Sequence, residues 1–164
     1  MEKERLEYTV SRLDHYYDSV NNKTAVYIAI NTFITGGAIT LLTQIQKLID
    51  QEIWLLFIIS PIIGLGVCSL VLLALASMPY FSPKTNVESL YYFSSIAQKT
   101  AKEFFDLSKT QDKKGDKEDL RCQVYILSKG LKSKFKKLKW ACALLIIQFL
   151  LLAPLAYTLI KITS

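Results

Sequence analysis

Residues able to carry catalysis or hold metal are scarce in this chain of 164 residues, which has one histidine and three cysteines. His15 stands on an amphipathic stretch with no carboxylate or cysteine arranged beside it as a catalytic partner, and it reads as a surface or interface residue. No G-x-S-x-G, H-E-x-x-H or phosphate-cradling glycine loop occurs, so the chain is not expected to be an enzyme. Cys68, Cys122 and Cys142 are odd in number, widely spaced and form no C-x-x-C, which argues against a disulfide framework and against a metal site. Two of them fall in hydrophobic runs and read as small apolar residues. Charge is missing where it would matter for transport. No Asp, Glu, Lys, Arg or His occupies mid-membrane depth, which weakens a proton- or ion-coupled carrier. A secretory leader is not expected either, since the first apolar run is too long and too late for one.

Hydrophobic residues are abundant, at 51% of the chain. They concentrate in Thr24–Ile45, Ile53–Met78 and Trp140–Ile160. A hydrocarbon core of about 30 Å needs roughly 20 apolar helical residues, and each run reaches that length. The expected fold class is an all-α membrane protein with three spans, the whole of 1–164 forming one domain. The spans run about 24–45, 53–78 and 140–160, with cytoplasmic parts at 1–23 and 79–139.

The net charge of +6 is uneven. Residues 79–139 hold fourteen basic and seven acidic side chains, whereas residues 1–23 hold four and five. Lys and Arg are retained on the cytoplasmic side. The central block and the N-terminus are therefore expected inside, with the C-terminus outside.

Leu6, Val10, Leu13, Tyr17 and Val20 are spaced 4, 3, 4, 3, a heptad seam. No Gly or Pro separates them from the first span, so one helix is predicted from Glu4 to about Leu48. Pro79 and Pro83 break the chain after the second span, and Thr85-x-x-Glu88 suggests a capping box opening a helix over 86–106. Gln111–Asp116 reads as a polar loop. From Lys117 a helix carries Leu120, Val124, Leu127, Leu131 and Leu138 into the third span without a breaker. These three stretches are expected to pack as a cytoplasmic three-helix bundle formed by the N-terminal helix and the segment between spans two and three. Within the spans, Thr32-x-x-x-Gly36-x-x-x-Thr40 and Ser60-x-x-x-Gly64-x-x-x-Cys68 are small-residue stripes that let backbones approach. Packing of the first two spans as a hairpin is the simpler expectation; a homo-oligomer seam is the other.

One polar residue interrupts the seam. Heptad steps from Leu131 lead to Lys134, a costly residue inside a bundle unless its ammonium meets an anion or snorkels to water. Asn21, Asn22 and Lys23 lie at a corresponding depth on the first helix, with Asn31 deeper. Gln123, Tyr91 and Tyr92 supply polar and stacking groups toward the other end. The run from Lys132 to Lys139 reads mainly as an anchor to anionic lipid. Nucleic acid is not an expected partner.

The order of these features resembles the transmembrane effector domain of bacterial Pycsar antiphage systems. The resemblance rests on Asn21-Asn-Lys23, Asn31, Met78-Pro79, Ser89-Leu-Tyr-Tyr-Phe-Ser-Ser-Ile96 and Asp119-Leu-x-x-Gln123-x-x-x-Leu127-Ser-x-x-Leu131-x-x-Lys134-Phe135, and covers roughly residues 12–155. The family pattern usually has Asp two residues before the lysine, where this chain has Asn21. The resemblance implies a bacterial inner-membrane effector that binds cyclic UMP or cyclic CMP from a cognate cyclase and impairs membrane integrity. Apart from that ligand no cofactor is expected. A cyclic mononucleotide offers one phosphate charge and one π-face, which makes Lys23 and Lys134 candidates for the phosphate, Asn21 and Gln123 for hydrogen bonds and Tyr92 for stacking. Two other classes compete: a ligand-independent, holin-like toxin, and an accessory subunit docking a cytoplasmic partner.

Overall fold

The computed structural model describes residues 1–45, 53–79 and 89–163, and among them all regular structure is helical. The elements are α1 (Glu2–Gln44), α2 (Trp54–Ser77), α3 (Phe93–Ala97), α4 (Ala101–Thr110) and α5 (Lys113–Thr163). Three of them, α1, α2 and α5, are long and apolar enough to cross a membrane. The chain divides into two compact units, Met1–Ser19 with Pro79–Ser133 and Val20–Met78 with Lys134–Ser164. Helices α1 and α5 contribute residues to both as unbroken elements.

In the first unit, Leu6, Leu13, Leu120 and Leu131 are buried. The two heptad seams thus do become the packed faces of α1 and α5. Their remaining members Val10, Tyr17, Val124 and Leu127 are only half-buried, and three of those four border a cavity. Buried polar residues fill in from the next helical position: Asp119 and Gln123 on α5, and Ser89 in the segment before α3.

In the second unit, Ala38, Ile45, Leu55, Ile59, Ile62 and Leu155 form the apolar core. Helix α2 stops where the sequence requires it. Met78 is extended, with ψ 141°, the conformation favoured before a proline such as Pro79.

Three expectations need correction. The helix predicted over 86–106 is interrupted: its proposed cap, Thr85 with Glu88, lies outside the described residues, and the rest divides into α3 and α4. Ser89 Oγ accepts the N–H groups of Tyr91 and Tyr92 at 3.1 and 3.0 Å, turning the backbone just before α3. A capping box then opens α4: Thr100 N donates to Glu103 Oε2 at 2.8 Å and Glu103 N donates to Thr100 Oγ1 at 3.3 Å. Neither α3 nor α4 buries a residue, and Phe105 is exposed. Among its described residues, the predicted apolar stripe of 86–106 therefore adds no buried side chain.

The polar loop at 111–116 is shorter than predicted, because α5 already begins at Lys113. Asp112 Oδ1 accepts the N–H of Gly115 at 2.7 Å, satisfying one of the orphan donors of the first turn.

The small-residue stripes do not pack the first two spans together. Thr32, Gly36, Thr40, Ser60, Gly64 and Cys68 are exposed, and a Cβ placed on Gly36 or Gly64 would meet nothing within 4 Å. The face used lies alongside. Asn31, Thr35 and Ala38 of α1 and Ile62, Gly66, Ser69 and Leu73 of α2 are buried. A Cβ on Gly66 would run into the hydroxyl of Thr35 and come within 2.6 Å of Gln148 Nε2. Close approach requires glycine at 66, not at 64.

Candidate functional site

In the first unit, α1, the residues at and just before the start of α3, and α5 border an open-sided cavity of about 420 Å³, large enough for a mononucleotide by the usual scale of ligand pockets. Its wall is aromatic, with Tyr17 from α1, Tyr91 and Tyr92 from the turn and Phe93 from the start of α3. Aliphatic contacts come from Val10 and from α5. Among the described residues, Asp14 and Gln123 are the polar side chains of the lining besides the tyrosines.

Several hydrogen bonds fix this wall. Asp119, 2% exposed, accepts the Leu90 N–H at 2.7 Å. Gln123 Nε2 donates to Ser89 Oγ at 2.9 Å, so the same serine ties the turn to α5. Tyr17 donates its hydroxyl to the carbonyl of Leu127 at 2.9 Å, joining α1 to α5. Tyr92 and Phe93 meet edge to face, their ring centroids 5.2 Å apart. Burial, and after it the Asp116 carboxylate, pushes the Tyr91 phenol above its ordinary range.

The second unit contains a different polar cluster. Lys134 is 6% exposed. Its ammonium donates to the carbonyl of Ala76 at 2.7 Å, to that of Ser77 at 3.4 Å and to Asn21 Oδ1 at 3.4 Å. Lys137 donates to the carbonyl of Leu75 at 3.1 Å. Two lysines thus satisfy the last turn of α2, where free carbonyls and the negative end of the helix dipole attract cations. Burial, then neighbouring Lys137, pulls the Lys134 ammonium below its ordinary range.

Deeper in that unit, Gln148 Nε2 donates to Thr35 Oγ1 at 3.0 Å and to the carbonyl of Ile62 at 3.1 Å. Thr35 donates to Asn31 Oδ1 at 2.8 Å, and Ser69 donates to the carbonyl of Ala141 at 3.0 Å. Asn31, Ser69 and Gln148 are fully buried.

The residues singled out from sequence therefore fall into two groups. Tyr92 and Gln123 line one cavity. Asn21 and Lys134 are in contact in the other unit, where Lys23 is exposed. Reading the sequence alone missed Asp14, Phe93, Ser89 and Asp119. The last three stood inside quoted motifs, and Asp14 lies one turn from Val10 and Tyr17 on the same helix, which was the signal available. Among the described residues no three of His, Cys, Asp and Glu gather to hold a metal ion.

The model of one family, described as the Pycsar effector protein domain, matches residues 5–161. The chain belongs to this family. Neither a curated protein nor a solved structure matches it. Membership in the Pycsar effectors implies a cyclic nucleotide signal supplied by a cyclase, and association with a membrane. The three helices of membrane-spanning length fit the second part of that description.

Proposed function

We propose that this Pycsar effector is gated by a cyclic pyrimidine mononucleotide, cyclic UMP or cyclic CMP, and impairs the integrity of the bacterial inner membrane when it binds. The observation that carries the reading is a nucleotide-sized aromatic cavity built partly from α1 and α5, two helices that each continue without a break into an apolar stretch of spanning length. In this reading ligand entry repacks the cavity wall, and the change is carried along those helices. Tyr92 stacks on the base and Gln123 hydrogen-bonds to the ligand. Lys23 and Lys134 are assigned to the phosphate, and Asn21 is assigned, like Gln123, to a hydrogen bond with the ligand. The basic block from 79 to 139 faces the cytoplasm, as does the N-terminus.

The decisive experiment reconstitutes the purified chain in liposomes holding a self-quenched dye and adds cyclic UMP or cyclic CMP. Dye release should require nucleotide. Release of equal size without it would instead make the chain a ligand-independent toxin. Lys134→Met tests the phosphate assignment: it should weaken binding by about 1.5–3 kcal/mol, the scale of a charged hydrogen bond, in protein that remains folded and inserted. Unchanged affinity in a titration would return Lys134 to a structural role, bonded to Asn21 and to the end of α2. Orientation is checked by labelling a cysteine placed at Lys109 in intact cells, where modification by an impermeant reagent would overturn the cytoplasmic assignment.

A further inference from the structure

Of the described residues that line the cavity, Asp14 alone is formally charged. Among the described residues its carboxylate has no hydrogen bond or ion pair, although Lys3, Glu2, Asp116 and Arg121 of the same unit are all paired. An ionised carboxylate only accepts hydrogen bonds, and it disfavours a second anion nearby. A phosphate is thus the part of a cyclic nucleotide this cavity suits least. The base suits it well. Its faces match the aromatic rings of Tyr92 and Phe93, and its edge offers what a carboxylate needs: uracil an N3–H, cytosine an exocyclic N4–H.

We propose that the cavity takes the pyrimidine base with the phosphate directed away from it, and that Asp14 is a recognition residue accepting an N–H from the base edge. The inference rests on the gating reading, to which it adds the ligand's orientation and the group that reads it. Tyr17, with its hydroxyl held by the Leu127 carbonyl, forms a fixed wall one turn from Asp14.

The test is a binding titration on the full chain in lipid nanodiscs. It compares whichever of cyclic UMP or cyclic CMP binds better with its analogue lacking the N–H: N3-methyl cyclic UMP or N4,N4-dimethyl cyclic CMP. Methylation should lower affinity at least tenfold for the unmodified chain and less than twofold for Asp14→Ala. Asp18→Ala, which removes an exposed charge one turn along but outside the cavity lining, should retain the full penalty. Equal penalties in the unmodified chain and in Asp14→Ala would overturn the assignment while leaving nucleotide gating in place. If neither cyclic pyrimidine binds the unmodified chain, the gating reading falls and this inference with it. Asp14 is exposed and unpaired, so its removal should leave helicity unchanged, which circular dichroism verifies before titration.

Discussion

Ion pairs recur on the first unit, while amides, hydroxyls and close backbone contact are buried inside the second, two of whose lysines bond the carbonyls that end α2. Lys3 pairs with Asp116 at 3.3 Å and Arg121 with Glu2 at 2.7 Å, both partly exposed, and the buried Asp119 holds a backbone N–H. The second unit instead joins Gln148, Thr35 and Asn31 in a buried chain of hydrogen bonds beside Gly66. The contrast follows from the surroundings each sequence is suited to. Water screens exposed ion pairs and makes each worth little, so such a unit depends on its leucines and on the few buried bonds. Lipid gives apolar side chains no reason to prefer one another, and helix association there rests on close packing and on polar contacts between helices.

The comparison can be broken most severely at Gly66. Gly66→Ala should destabilise the second unit by about 3 kcal/mol, combining overpacking of about 1–3 kcal/mol with disturbance of the Gln148 bonds. Gly64→Ala, two residues away and facing open space, should be neutral or slightly stabilising, since alanine is the better helix former. Equilibrium unfolding in mixed detergent measures both, and equal effects would remove the distinction drawn between the two faces of α2.

Next in size is Asp119→Ala in the first unit. Losing the bond to the Leu90 N–H should reduce stability by about 2 kcal/mol, within the range for hydrogen bonds to charged groups. Hydrogen exchange should then accelerate in residues 90–93 more than in α4. Gln148→Leu should have a smaller effect, about 1 kcal/mol, which is the usual scale of a side-chain hydrogen bond between membrane helices. A gain in stability would mean that packing alone holds the spans.

The smallest effect is expected at Glu2. Its carboxyl is held below the ordinary carboxylate range, chiefly by the hydrogen bond from Arg121. A lowered carboxyl contributes above its unfolded pKa and loses that contribution as pH falls through the lowered value. At neutral pH the pair is present, yet Glu2 is open to solvent. Glu2→Gln should leave the melting temperature unchanged within error, and a clear drop would show that charge carries more of the first unit than its exposure suggests.

The sequence contained the long helices and the seam positions. Leu6, Leu13, Val20, Leu120, Leu131, Lys134 and Leu138 are all buried as heptad spacing requires, because a periodic stripe on a long helix dictates which face turns inward. Lys134 was recognisable as an anomaly for the same reason. Its partners were not, since nothing in the spacing of α5 says where the last carbonyls of α2 will lie. Segment 89–110 was misread because Ser89 and Thr100 satisfy backbone donors locally, and such bonds override an apolar repeat of modest length. The glycine face was misjudged because the face used carries no small-xxx-small repeat: Gly66 has Ile62 and Leu70 four residues to either side, and only the fold brings it against Thr35. Of the cavity, Tyr92 and Gln123 were legible as polar or aromatic residues near a seam. Asp14 acquires meaning only once the fold places it among rings.

Thr35 and Gln148 are 113 residues apart, a separation that bears on how the protein is made. At about 5–20 residues per second, the end of α2 leaves the ribosome roughly 4–14 s before Gln148 does. During that interval Thr35 lacks the amide that will later donate to it, and the carbonyl of Ile62 waits for the same group. The second unit is therefore finished by its last helix. A chain that stalls before residue 148 leaves its first two apolar segments without the amide that bonds both of them.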